Sequence, residues 1–213
     1  MSTERPADYL EPYRDAVQTY GASFEATLWG SRAAQQMRFD VMIDLAGFEG
    51  CTVVDAGCGQ GDFAAHLLER AVPFRSFIGI DGMAPMVEAA RSRALARSTF
   101  EVADLVREPA RLVALAPDWV TFSGTLNTMD DATAQGVVRA AFDAAAQGVI
   151  FNFLSDRHHA RWAARVLAPA RRFDTLAWLD WSLGLSSRVQ FTQTYLDGHD
   201  ATILIRHDED AAA

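Results

Sequence analysis

Between residues 53 and 62 a short apolar run ends in an acid, passes through three glycines and enters a helical pattern: Val53-Val54-Asp55-Ala56-Gly57-Cys58-Gly59-Gln60-Gly61-Asp62. Residues 51–56 read as a buried strand, and Phe63, Leu67 and Leu68 recur at helical spacing just beyond. The glycines therefore sit between a strand and the N-terminus of a helix. Glycine lets the backbone take positive φ and lets a ligand approach without a Cβ in the way. The first helical turn also presents unpaired N–H groups that receive a carboxylate or phosphate. Such a junction is a seat for a nucleotide-like ligand. No Gly-Lys-Ser/Thr follows, which excludes a phosphate-binding P-loop, and the sequence has no lysine at all. The spacing is Gly-x-Gly-x-Gly and not the Gly-x-Gly-x-x-Gly of the dinucleotide fingerprint, which weighs against a nicotinamide-dependent oxidoreductase. A Tyr-x-x-x-Lys catalytic pair is also missing.

Three further strand signals follow in order. Residues 76–80 end in Asp81, followed by Gly82-Met83-Ala84-Pro85-Met86 at the start of a helix; residues 99–103 end in Asp104-Leu105; residues 118–122 run into Ser123-Gly124-Thr125-Leu126-Asn127. Helical patterns separate them, over residues 62–71, 85–97, 106–115 and 131–146, and a fifth buried strand is expected at 148–154. This alternation predicts a parallel, doubly wound sheet with ligands at the carboxyl ends of the strands. Helices are expected over 156–167 and 173–183. Residues 188–195 and 201–206 read as a closing hairpin across Asp197-Gly198-His199-Asp200.

The apolar strand, acid and Gly-x-Gly-x-Gly turn, with the three later strand ends in this order, resemble the class I S-adenosylmethionine-dependent methyltransferases. The resemblance spans nearly the whole chain. It implies an α/β fold with a doubly wound, mostly parallel seven-stranded sheet (Rossmann-like), an antiparallel C-terminal strand pair and an N-terminal helical lid. One domain is expected over residues 1–213, with the lid at 1–46, a cofactor-binding core at 51–154, and acceptor-side helices and closing hairpin at 155–207. The implied cofactor is S-adenosylmethionine, leaving as S-adenosylhomocysteine. Its ribose hydroxyls fall to Asp81 beside Gly82 and Met83, its adenine to Asp104 and the Leu105 amide. Its methionine part falls to Asp55 and the turn of Gly57, Cys58, Gly59 and Gly61. Ser123 and Gly124 border the methyl-transfer site. Structural capping remains the competing role for Asp55, Asp81 and Asp104.

Helices are also expected over 7–20 and 31–45, joined by a segment that suits a lid. Tyr20, Trp29 and Arg38 stand in a leader resembling that of small bacterial methyltransferases. Arg38 is expected either to clamp the methionine carboxylate with two parallel hydrogen bonds or to pair on the surface with Asp40 or Asp44. Tyr20 and Trp29 are expected to cover the cofactor or to pack in the core.

Methyl transfer from a sulfonium is an in-line displacement with a neutral leaving group, so positioning in a dry site supplies most of what the reaction requires. Asn127 and His158 are the candidate catalytic residues, His158 as a base for an acceptor that loses a proton. An ordinary surface role competes for His158. Arg157, Arg161 and Arg165 fall four apart and are expected on one helix face, either receiving an acidic substrate or simply solvated. No Asn/Asp-Pro-Pro-Tyr/Phe stands at 123–126, so the nucleobase-amino methyltransferase signature is absent.

A chain of 213 residues with 50% hydrophobic and 22% charged content suits one globular domain. Its net charge of −9 opposes a phosphate backbone, so a small-molecule acceptor is expected and nucleic acid is not. Cys51 and Cys58 give neither a disulfide framework nor metal-ligand spacing, and no metal is expected. Without a signal-peptide pattern at residues 1–6 or an apolar run of about 20 residues, a cytoplasmic protein with no membrane segment is expected. The oligomeric state has no sequence signal. A cofactor-binding regulator without catalysis stays open beside the enzyme.

Overall fold

The computed structural model describes residues 8–208, so the expected helical start at residue 7 and the alanine-rich tail from 209 onward lie outside the described residues. Helix α1 (Glu11–Tyr20) carries Pro12 in its first turn, where a missing N–H costs nothing. A single 3-10 turn, Glu25–Thr27, leads to α2 (Arg32–Ala46), whose Ser31 cap accepts from the Ala34 amide at 3.2 Å.

From there strands and helices alternate: β1 (Thr52–Ala56), α3 (Asp62–Glu69), β2 (Ser76–Asp81), α4 (Ala84–Ser92), β3 (Ser98–Val102), α5 (Ala110–Leu115), β4 (Trp119–Phe122), α6 (Asp131–Ala144) and β5 (Gly148–Leu154). Helix α7 (Thr175–Leu183), capped by Asp174, precedes β6 (Arg188–Thr192) and β7 (Asp200–Arg206). The sheet runs β3-β2-β1-β4-β5-β7-β6; β1 to β5 are parallel, and β7 is antiparallel to both neighbours. This is the doubly wound, seven-stranded arrangement expected, with its antiparallel pair at the C-terminal side.

The central strands read as unbroken apolar runs because both their faces are covered. Alternate side chains serve opposite faces. Val54, Val120, Phe151 and Ile203 join one buried cluster with Val138 of α6 and Trp178 of α7. Val53, Trp119, Ile150 and Leu204 join another with Met42 of α2 and Phe63 of α3.

The expected helix over 156–167 does not form; one 3-10 turn, Ala160–Trp162, is all that remains of it. Its first amides are taken elsewhere. Arg157 N–H donates to Ser155 Oγ, and His159 N–H donates to the Asp197 carbonyl across the loop before β7. The Asp156 carboxylate caps the Thr175 amide of α7. The three arginines consequently share no helix face. Arg157 pairs with Asp156, Arg161 pairs with Asp197, and Arg165 lies over the Trp162 ring. Helix α5 also starts late, at Ala110, because Asp104 accepts the Val106 and Arg107 amides and holds residues 104–107 in a turn.

Candidate functional site

A cavity opens at the carboxyl ends of β1, β2 and β4, beneath α1 and the segment before α2. The glycine turn forms its floor. Gly57 and Cys58 both donate to the Ile80 carbonyl, at 2.7 and 3.0 Å, and Gly59 donates to Asp81 at 2.8 Å, so the turn after β1 is bonded to the end of β2. Gly57 has φ of 81°, and a Cβ there would overlap the Thr125 side chain, whose hydroxyl donates to the Ala56 carbonyl at 2.7 Å. Gly57, Cys58 and Gly59 line the cavity; Gly61 instead packs beneath the Phe100 ring.

Three carboxylates line this space: Asp62, which pairs with Arg93, and Asp81 and Asp55. Asp81 accepts from Gly59 through one oxygen and from Met83 through the other, each at 2.8 Å. Burial pushes its pKa up, and the Met83 and Gly59 amides hold it back. Asp55, 3% exposed, accepts the Thr121 hydroxyl at 2.7 Å; burial drives its pKa from 3.8 to about 7, with the Thr121 bond opposing and the negative charges of Asp81 and Asp62 adding to the rise. Gly82, Met83, Leu105 and Ser123 complete the expected lining. The Ser123 hydroxyl and the Gln60 side-chain nitrogen are buried without a protein partner, and both residues border the cavity.

Trp29 and Gly124 form the wall between this cavity and a second one. Gly124 has φ of 72°, and the Trp29 ring lies against its Cα where a Cβ would stand. The Gly124 amide is fixed by the Asn152 side-chain oxygen at 2.7 Å.

Other expected residues are placed differently. Asp104 is absent from the lining; its carboxylate takes the Tyr9 hydroxyl at 2.5 Å and the amides that begin the following turn. Arg38 is neither exposed nor free. Its Nε and one terminal nitrogen grip Asp200 at 2.6 and 2.5 Å, its other nitrogen donates to the Ala34 carbonyl, and Trp29 covers its face. Asp40 pairs instead with His66 and Arg70. Tyr20 is 55% exposed at the end of α1 and borders neither cavity. His158 also borders neither, its Nδ1 lying 3.0 Å from the His159 carbonyl. Asn127 does line the second cavity, with its side-chain oxygen accepting the Leu154 amide at 2.9 Å.

Three residues of the N-terminal segment that roof the cavity were not among the expected site residues. Tyr9, Tyr13 and Val17 line the main cavity at four-residue spacing across α1 and the turn before it, a stripe that helical periodicity would have shown. Burial pushes the Tyr13 phenol up to about 12, keeping it neutral. Among the described residues there is no cluster of three or more His, Cys, Asp or Glu arranged for a metal, and no helix is long and apolar enough to cross a membrane.

Residues 53–148 match the family model described as "Methyltransferase domain". Comparison with curated protein sequences gives no match. Among solved structures, magnesium protoporphyrin IX methyltransferase (ChlM) from Synechocystis PCC 6803 superposes with a TM-score of 0.68 at 18% identity, covering 97% of this chain and 100% of that one. An O-methyltransferase family protein from Burkholderia thailandensis gives 0.71 at 18% identity, over 98% of this chain and 66% of that one. The small RNA methyltransferase HEN1 gives 0.66 at 15% identity, over 82% of this chain and 25% of that one. At these identities the likeness is one of fold. The matched segment runs from β1 to the start of β5, the strands that build the glycine turn and its cavity. Together with the sheet order, it identifies a methyltransferase domain match over residues 53–148 within a Rossmann-like, methyltransferase-type fold.

Proposed function

We propose that the protein transfers a methyl group from S-adenosylmethionine to a small-molecule acceptor, with positioning as the main source of catalysis. The observation that carries this reading is the clasp of Gly59 on Asp81 at the mouth of three parallel strands. It leaves the Asp81 carboxylate in the cavity with one backbone bond on each oxygen, and each ionised oxygen accepts more than one. Two adjacent ribose hydroxyls suit what remains. The orphaned Ser123 hydroxyl and Gln60 amide give a polar ligand further partners in the same space. The ChlM structure was solved with bound S-adenosylmethionine, which supports the cofactor assignment here.

In this reading Asp81 holds the ribose, the Leu105 segment packs along the adenine, and Asp55 with the glycine turn receives the amino acid end. When bound, S-adenosylmethionine supplies an electrophilic methyl on a sulfonium centre. Trp29 and Gly124 stand between the two cavities and set the passage between cofactor and acceptor. Holding the two reactants in line and away from water is worth about 7–11 kcal/mol of barrier. His158 has no place in this reading, and Asn127 shapes the acceptor side. The net charge of −9 supports a small acceptor over a nucleic acid.

The test is calorimetric titration of protein freed of carried-over ligand with S-adenosylmethionine, S-adenosylhomocysteine and NADH. Micromolar binding of a sulfur compound without NADH binding is expected; binding of neither sulfur compound overturns the reading. Turnover of acids, phenols and amines is then screened.

A further inference from the structure

Beyond the Trp29–Gly124 wall lies a second cavity, partly open to solvent. Its lining includes the apolar Leu154, Val166, Leu167 and Pro169, Val166 being exposed. It also includes Arg38, Arg165, His199 and Asp200, with Arg165 exposed at its edge and Leu154 facing Asp200 across neighbouring strands.

The charges there do not balance. Arg38 is matched by Asp200 through two parallel hydrogen bonds. Behind them, Arg172 donates to the Ser155 and His199 carbonyls and to His199 Nδ1, the last at 3.0 Å. An arginine N–H at Nδ1 requires that nitrogen to be unprotonated, so the proton of His199 sits on Nε2. Burial and the nearby guanidinium charges of Arg172, Arg38 and Arg165 depress His199 to about 3, so it is a neutral donor there. Its ring is fixed by stacking on Trp162 at 4.2 Å. Arg165 is the remaining cation. Among the described residues its guanidinium has neither a carboxylate partner nor a hydrogen bond, and it rests over the Trp162 ring at 5.3 Å.

A cavity lined by apolar side chains beside a guanidinium with no hydrogen-bonded carboxylate suits a small organic acid. We propose that the second cavity holds the methyl acceptor by an oxyanion, a carboxylate or phosphate, bound at Arg165. The inference rests on the methyltransferase reading and names its substrate class. The anion seats against the arginine, the carbon skeleton lies along Leu154 and Leu167, and the acceptor atom is directed to the Trp29–Gly124 passage.

Binding is measured by calorimetry with three probes, sodium benzoate, inorganic phosphate and uncharged benzamide, each with and without S-adenosylhomocysteine. Saturable millimolar binding of benzoate or phosphate, weakened by added salt and absent for benzamide, is expected; the tighter of the two anions identifies the acid group. Arg165→Gln is expected to weaken that binding about tenfold or more, the scale of one charge-assisted hydrogen bond. Gly30→Ala gives a milder independent test, since a Cβ there would stand 2.6 Å from the Arg165 terminal nitrogen and displace it. Benzamide binding as tightly as benzoate, no saturable anion binding, or anion affinity unchanged in Arg165→Gln overturns the inference. Failure of S-adenosylhomocysteine to bind overturns the cofactor assignment separately, because the anion titrations without it are read on their own.

Discussion

The Gly59 amide donates to the Asp81 carboxylate across 2.8 Å, which makes the turn after β1 and the end of β2 one bonded unit. An asparagine at 81 offers one accepting oxygen where two amides now converge, and its NH2 opposes the other N–H. Asp81→Asn is therefore expected to lower S-adenosylmethionine affinity at least tenfold, from the loss of charged hydrogen bonds of about 1.5–3 kcal/mol each. Unfolding should stay cooperative, because the strand ladder of β2 is untouched. Calorimetry paired with denaturation checks both, and unchanged affinity removes Asp81 from the site.

Asp55 ties stability to pH. Its pKa rises from 3.8 to about 7 on folding, so the folded state holds this proton over a range where the unfolded chain has released it. The stabilisation is full below pH 3.8 and is lost as pH rises through about 7. Relative to Asp55→Asn, the wild type is expected to lose about 1.4 kcal/mol per pH unit between pH 5 and 7, and nothing further above that. Denaturant unfolding of both proteins across pH 5–8 measures the difference; a flat difference refutes the shift.

Gly124→Ala strains the wall between the cavities twice, by a positive φ and by overlap with the Trp29 ring. Each effect costs about 1–3 kcal/mol. Trp29→Ala in the same chain is expected to recover the overlap part alone. A double-mutant cycle on unfolding free energy separates the two, and purely additive effects contradict the contact.

Arg38 and Asp200 are a buried pair, their side chains 5% and 2% exposed. Removing one partner leaves a buried charge, so Arg38→Met is expected to destabilise by about 3–5 kcal/mol. Arg38→Met combined with Asp200→Leu should cost less than the single change. Arg38→Lys, which keeps the charge but loses the fork, should fall between. A double variant no more stable than Arg38→Met counts against the pair.

The parallel half of the fold was legible because its signals are local: an apolar run ending in an acid or a glycine marks both a strand and its cavity-facing tip. The turn from Gly57 to Gly59, Asp81 and Ser123 follow directly. What escaped depends on partners distant in sequence. Arg38 and Asp200 stand 162 residues apart, and nothing near either names the other. Asp104 looks like a ligand acid until Tyr9 is placed beside it. Residues 156–167 have a helical composition but form only the Ala160–Trp162 turn, with His159 N–H bonded to the Asp197 carbonyl, 38 residues away. His158 was placed by its position beyond the fifth strand alone, and the chain carries it past both cavities.

Strand β7 lies between β5 and β6 although it is the last of the three in the chain. On the ribosome that order becomes a delay. At roughly 5–20 residues per second, β5 waits several seconds for the strand that covers its far edge. Over that interval the run Val149-Ile150-Phe151 presents an open apolar edge, the kind that recruits stray strands or a chaperone. The Gly59–Asp81 clasp belongs to strands already synthesised, whereas Asp200 is delivered with the latecomer. The residues that line the second cavity are thus complete in synthesis only after those of the first.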